Sequence, residues 1–187
     1  MLLYLFTLER EGPDYFGYPV VPCGVLYQPA RDVILRQDRN ITDEKLKTAL
    51  QGALRRTGLV LDEPQVLHAM EHSALESPCY LPIGVKKDGS LSGDLASAAQ
   101  LGHLGRYVDS LLHQITGEIA RGNIDADPYT RGPQDSACNR CAFASACYFD
   151  ESRDRRRPLN KTDKDAFWAL METEYGEEGY HGGGIDD

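Results

Sequence analysis

Three of the chain's five cysteines, Cys138, Cys141 and Cys147, fall within ten residues as Cys-x2-Cys-x5-Cys, while Cys23 and Cys79 stand far from them and from each other. A two-residue spacing lets neighbouring sulfurs converge from a single loop, and thiolates are the soft ligands that hold Zn2+ or iron–sulfur clusters. An odd, crowded set is unlike a secreted disulfide framework, whose cysteines come in even number and are spread along the chain. Three unligated core cysteines would be the bland alternative, but burial does not explain such crowding in a loop, so ligation is favoured. No Cys or His follows within reach of Cys147, and a four-ligand site must take its fourth donor from elsewhere. The segment 126–160 is therefore expected to be a loop organised by what it binds.

Around this loop, 187 residues are enough for one or two compact units and no more. Their charge is uneven. Against 20 Lys and Arg stand 29 Asp and Glu, but the sixteen residues from Glu172 onward hold six of the acids and no Lys or Arg; without them 23 acids face 20 bases. A uniformly basic nucleic-acid binder is excluded, whereas a local basic patch is not, because phosphate contacts depend on where the cations sit. No apolar run is long enough to span a bilayer, and Met1 to Leu8 meets Glu9, Arg10 and Glu11 without a basic leader or a cleavage site. A soluble, cytoplasmic protein without a membrane partner is expected.

The periodicity predicts a mixed α+β chain. Residues 1–8 read as the end of a buried helix or a short strand, broken by Gly12-Pro13-Asp14, whose beginning lies upstream. Val20 to Gln28 reads as a strand with Asp32 to Arg36 as its partner, and Thr42 caps a helix running to Thr57 with Gly58 closing it. A second helix is expected over Glu63 to His72. Tyr80 to Val85 then forms a hairpin through Lys87-Asp88-Gly89 with Ser90 to Ser92. From Leu95 to Arg121, Leu101, Leu104, Val108, Leu111, Ile115 and Ile119 recur at three and four, which marks the longest helix, ended by Gly122. The chain is then irregular up to the cysteines. A last helix runs from Thr162 to Tyr175, and residues 176–187 form an acidic, glycine-rich tail expected to be disordered.

Other strings carry less. Pro13-Asp14 with Asp43-Glu44-Lys45 mimics a nuclease Pro-Asp and Asp-x-Lys pattern, but Asp43 and Lys45 sit in a helix's first turn, where residues two apart face different ways. No residue of the chain is assigned to catalysis. His68-Ala-Met-Glu71-His72 reproduces a zinc-peptidase string without a third ligand, and a surface helix with two histidines accounts for it better. His103 and His113 read as single satisfied or solvated histidines. Arg153, Arg155, Arg156 and Arg157 follow the cysteine loop, and a pinned loop would hold them rigidly enough to meet DNA phosphates, with Tyr148 and Phe149 as stacking surface. A solvated charge run interleaved with Glu151 and Asp154 is an equal reading.

Gly122-Asn-Ile-Asp-Ala-Asp-Pro-Tyr129 followed by Cys138-Asn-Arg-Cys141-Ala-Phe-Ala-Ser-Ala-Cys147-Tyr-Phe-Asp150 resembles the C-terminal end of the AddB family, the B subunits of bacterial ATP-dependent helicase-nucleases. Gly24-Val-Leu-Tyr27, Leu81-Pro-Ile-Gly-Val-Lys-Lys-Asp-Gly89 and the long helix ending in Ala-Arg-Gly122 extend the similarity over residues 1–172. The resemblance implies an α+β fold, the C-terminal part of a PD-(D/E)XK (restriction-endonuclease-like) nuclease domain with a cysteine-rich iron–sulfur loop and flanking helices. Its parts would be residues 1–125, the loop 126–160, a helix over 161–175 and the tail. It further implies that Cys138, Cys141 and Cys147 share a [4Fe-4S] cluster with a cysteine upstream of Met1. The catalytic acids and lysine, with their Mg2+, would also lie upstream of Met1, and Tyr4 would match the Tyr of the family's Gln-xxx-Tyr helix. The parent would be a DNA exonuclease that processes double-strand ends for repair with an AddA-like partner, and this chain alone would be inactive. A Cas4-like nuclease fragment shares the cysteine layout. A zinc-binding structural or interaction module, with Cys23 or Cys79 as fourth ligand, is the alternative from another class, and in the isolated chain Zn2+ would replace the cluster.

Overall fold

The computed structural model describes residues 1–30, 32–37, 40–132 and 134–176; the tail expected to be disordered lies, from residue 177, outside them. The chain is of mixed α+β class with small sheets and divides into two compact units, 1–108 and 109–187. Among the described residues no helix is long and apolar enough to cross a membrane.

The first unit opens with α1 (Leu2–Phe16), which does not break at Gly12-Pro13 as the sequence suggests. Proline removes one helical N–H and no more when the turn after it is held. Here Gly17, in the left-handed conformation, donates its N–H to the Pro13 carbonyl at 2.9 Å. Gly12 is buried for a packing reason, since a Cβ there would come within 2.7 Å of Val20 Cγ2.

The expected first strand shortens to β1 (Gly24–Tyr27), and its partner is not residues 32–36, which form no regular structure, but β2 (Thr57–Leu61). The register Leu26 to Gly58 explains the difference. Gly58 is not a helix stop: at φ +140° it lies so close to β1 that a Cβ would sit 2.0 Å from the Val25 carbonyl oxygen. Helix α2 (Asp43–Ala53) accordingly ends four residues before Thr57. Asp43 and Glu44 occupy its first turn, where the helix dipole favours them.

Helix α3 (Pro64–Met70) stops short of Glu71 and His72. The hairpin forms as expected from β3 (Ile83–Val85) and β4 (Leu91–Gly93), with Gly89 N–H donating to the Lys86 carbonyl at 3.0 Å. A two-residue strand that the sequence reading missed, β5 (Leu95–Ala96), pairs in parallel with β2 and completes the order β1-β2-β5. It takes the first residues of the expected long helix, so α4 (Ala98–Ala120) starts later, behind a reciprocal cap: Gln100 N–H donates to Ser97 Oγ at 3.2 Å and Ser97 N–H to Gln100 Oε1 at 2.8 Å. The core of the unit is Val60, Leu67, Ala74, Leu81 and Ile83, flanked by Leu26, Met70, Leu91 and Leu95.

Glu71 ties this core together. Its carboxylate accepts N–H bonds from Cys79 (2.6 Å), Tyr80 (3.2 Å) and Leu81 (3.0 Å) and the Ser73 hydroxyl at 3.4 Å. Burial alone would raise its pKa, but those bonds outweigh burial and hold it below the ordinary carboxylate value. A depressed folded-state pKa stabilises the fold above the unfolded-state value, and that contribution is lost as pH falls through the folded-state pKa. Glu71→Ala, which leaves the three N–H groups without an acceptor, is expected to cost about 1–3 kcal/mol in urea unfolding at neutral pH. The gap between wild type and Glu71→Gln should shrink as the pH is lowered below the carboxylate range; a gap constant with pH would contradict this role.

In the second unit, α4 continues to Ala120 and closes at Gly122 with φ +68°. The expected irregular stretch contains two strands, β6 (Tyr129–Gly132) and β7 (Asp135–Ser136), which with β8 (Arg157–Pro158), beyond the cysteines, make a three-stranded sheet of order β7-β6-β8. Its central strand is β6, with β7 antiparallel on one side and β8 parallel on the other. Residues 137–156 are thus an excursion that leaves one side of β6 and returns on the other, and it holds a 3-10 turn and one turn of α-helix, α5 (Ala144–Cys147). The last helix is α6 (Lys164–Tyr175), where Asp163 accepts the Asp165 N–H at 3.1 Å as its cap.

Candidate metal centre

The cysteine loop is held by short-range backbone bonds. Ser136 Oγ accepts the Cys138 N–H at 3.3 Å and starts a 3-10 turn over Ala137–Arg140. Cys141 N–H then donates to the Cys138 carbonyl at 3.3 Å, Ala144 N–H to the Cys141 carbonyl at 3.3 Å, and Cys147 N–H to the Phe143 carbonyl at 2.9 Å, which forms α5. Tyr148, with φ +51°, turns the chain away directly after the third cysteine.

This path brings Cys138, Cys141 and Cys147 to the wall of one cavity of about 280 Å3, shared with Asp127, Phe149 and Arg157. Cys138 is half-buried, the other two are exposed, and all three are free thiols. Among the described residues no three Cys, His, Asp or Glu side chains converge to metal-ligating distance, so the three cysteines share a cavity wall and not a ligand sphere. The donor chemistry suits a soft metal or a cluster. Cys23 and Cys79 belong to the first unit, each with its sulfur near a local carbonyl, Val21 O at 3.5 Å and Ser77 O at 3.6 Å.

The arginine run has a different character from a row of free cations. Arg153 pairs with Asp154 at 3.3 Å and donates to the Tyr148 carbonyl at 3.1 Å. Arg153, together with the Asp150 N–H, holds the Asp154 carboxyl below its ordinary range. Arg156 reaches Ser136 and Glu151, and Arg157 reaches Asp127 and Tyr129. Arg155 is exposed and forms no hydrogen bond or ion pair with the described residues. Three of the four arginines are thus engaged within the loop. The sequence showed their charge but not these bonds; the signal available was Ser136 two residues before Cys138, a spacing suited to a local side-chain cap.

The remaining candidates disperse. Asp14 lies on α1, while Asp43, Glu44 and Lys45 are exposed in the first turn of α2. His72 lies beyond the end of α3, so the two histidines do not share a helix as expected, although the His68 and His72 rings meet edge to face at 4.6 Å. Glu71, the acid of that string, is taken up by backbone N–H groups. His113 Nδ1 lies 2.9 Å from the Asp109 carbonyl, but His103 Nδ1 is buried with no partner among the described residues, against the expectation of a satisfied or solvated ring. Tyr4 is exposed on α1.

No family model matches the chain. It is 33% identical over 178 residues to the B subunit of the ATP-dependent helicase/deoxyribonuclease of Acetivibrio thermocellus, a match covering 93% of the chain and 15% of that protein. It is 32% identical over 184 residues to the protein of the same name from Clostridium acetobutylicum, covering 96% and 16%. For that of Desulforudis audaxviator the identity is 31% over 186 residues, covering 95% and 16%. The chain therefore spans about 15–16% of the length of the curated relatives it matches.

Proposed function

The chain belongs to the AddB family, the ATP-dependent helicase/deoxyribonuclease B subunits, over the small part of their length that it matches, and from that premise we propose that it is the C-terminal part of a PD-(D/E)XK nuclease domain whose end is fastened by a [4Fe-4S] cluster. Cys138, Cys141 and Cys147 supply three of the four thiolates. The fourth thiolate, and the carboxylates and lysine that bind Mg2+ and activate water for phosphodiester hydrolysis, come from outside these 187 residues. The parent subunit, with an AddA-like partner, processes double-strand DNA ends. Arg155 is the arginine of the run free to meet a phosphate.

The observation that carries this reading is the gathering of the three thiols on one cavity wall, in a loop whose two ends are joined through β6. Closing a loop of about twenty residues with a bound group stabilises an end of the chain that has little apolar core of its own. The placement of Asp14 on α1 and of Asp43 and Lys45 on α2 supports the reading that this chain alone does not cleave DNA.

The experiment is a comparison of two proteins on linear duplex and single-stranded DNA with Mg2+. The 187-residue chain is expected to leave both intact. A full-length AddB protein carrying this segment, assembled with its AddA-like partner and ATP, is expected to degrade duplex ends, and Cys147→Ser in that protein is expected to reduce degradation together with iron content. Cleavage by the isolated chain that Asp43→Ala or Lys45→Ala abolishes would overturn this division of labour.

A further inference from the structure

Arg156 connects both flanks of the cysteine segment with one side chain. Its Nη1 donates to Ser136 Oγ at 3.2 Å, and the same oxygen accepts the Cys138 N–H, so the guanidinium holds the residue that caps the first cysteine's turn. On the other flank its Cζ lies over the Phe149 ring, 5.1 Å from the centroid, two residues after Cys147, and Nη2 pairs with Glu151. Arg157 fastens the adjoining wall: Nε donates to the Asp127 carbonyl at 2.8 Å, Nη2 faces Asp127 Oδ1 at 3.2 Å, and Cζ lies 4.2 Å from the centre of the Tyr129 ring. Asp127, Phe149 and Arg157 line the cavity that the three thiols share. The planar fork of an arginine can make such contacts at once, which a lysine ammonium cannot.

One atom of this arrangement is left over. Arg156 Nε is buried and has no acceptor among the described residues. An unpaired buried donor disfavours the present loop relative to any arrangement that supplies an acceptor.

Resting on the reading of the cysteines as a ligand set, we propose that Arg156 is the positioning residue of that set, a clamp that closes the Cys138–Cys147 loop before metal arrives. The ordering cost of the loop is then met during folding, and binding is stronger for it.

The probe is Co2+ alone, added to the reduced 187-residue chain, because thiolate-to-cobalt charge transfer reports both affinity and the number of sulfurs engaged. Arg156→Ala is expected to weaken Co2+ binding about tenfold or more, and Ser136→Ala to weaken it through the same bond. The double variant should cost less than the sum of the two single ones, since the Arg156–Ser136 bond is lost in both, while Ser136→Ala also removes the Cys138 N–H cap. Arg155→Ala should bind like the parent. In the metal-free chain, Arg156→Ala should speed alkylation of Cys138 several-fold and leave Cys23 unchanged. Additive effects of Arg156→Ala and Ser136→Ala, or Co2+ affinity and Cys138 alkylation both unchanged in Arg156→Ala, would overturn the clamp. A parent chain without any thiolate-to-cobalt band would instead overturn the ligand set, and the alkylation rates would still decide whether Arg156 closes the loop.

Discussion

Exchanging Cys138, Cys141 or Cys147 for serine, one at a time, is expected to weaken soft-metal binding by about 100-fold or more, while the same exchange at Cys23 or Cys79 leaves it unchanged. Loss of a group that merely orients a metal ligand typically costs about 10–100-fold, so loss of a ligand should cost at least the upper end of that range. The contrast with Cys23 and Cys79 follows from the proposal that the fourth thiolate comes from outside the chain, and each of these two has its sulfur beside a local carbonyl. The loop should respond as well. Its bonds are turns and caps around single residues, and its sheet is two to four residues per strand. Titration of each variant with Zn2+ against a chelator, with limited proteolysis of the loop followed in parallel, measures both effects. If Cys23→Ser or Cys79→Ser were as damaging as Cys141→Ser, the zinc-module reading would take the place of the cluster.

The largest expected effect on the first unit is at Gly58. Its φ of +140° is one that residues with a side chain rarely adopt, and a Cβ would lie 2.0 Å from the Val25 carbonyl oxygen, a backbone atom that cannot move without parting β1 from β2. Strain and overpacking together put Gly58→Ala at about 2–5 kcal/mol. That is a large share of the roughly 5–15 kcal/mol that holds a typical domain folded. Gly89, at φ +82° in the hairpin turn, has open space around it, so Gly89→Ala there carries only the conformational cost of about 1–2 kcal/mol. Urea unfolding of both variants tests the comparison. Equal losses would mean that the close strand approach at Gly58 is not what its glycine serves.

These two positions also show what could be read from the sequence. Helix α4 was legible because its apolar period runs for about five turns, yet the same stripe is buried only at Leu101 and Leu104, whereas Ile115 and Ile119 are exposed. The hairpin was legible because Lys87-Asp88-Gly89 carries its own turn chemistry. Strand β2 was not, because Thr57-Gly58 reads equally as a helix end and the reason for the glycine is a carbonyl thirty-three residues away. Helix α1 was misread for a related reason: Gly12 and Pro13 look like a break until Val20 is found packed against the glycine. The strands β5, β7 and β8 are two residues long and have no alternation to detect.

At the candidate site the cysteines stand out by spacing alone, because the Cys-x2-Cys-x5-Cys pattern of Cys138, Cys141 and Cys147 is local in sequence. The role of the arginines did not, because the partners of Arg156 and Arg157 include Ser136, Asp127 and Tyr129, twenty to thirty residues upstream. A run of four cations with interleaved acids has the same composition whether it faces phosphate or holds a loop together.

The central claim is that the three thiols are cluster ligands within a larger nuclease subunit. Its most direct test is iron and acid-labile sulfide per protein, after anaerobic reconstitution of a full-length AddB protein carrying this segment, with Mössbauer spectra recorded on the same samples. The account predicts about four iron and four sulfide per protein in a [4Fe-4S] signature that disappears with Cys138→Ser, Cys141→Ser or Cys147→Ser and persists with Cys23→Ser and Cys79→Ser. One zinc and no iron per protein, retained only when Cys23 or Cys79 is present, would contradict it.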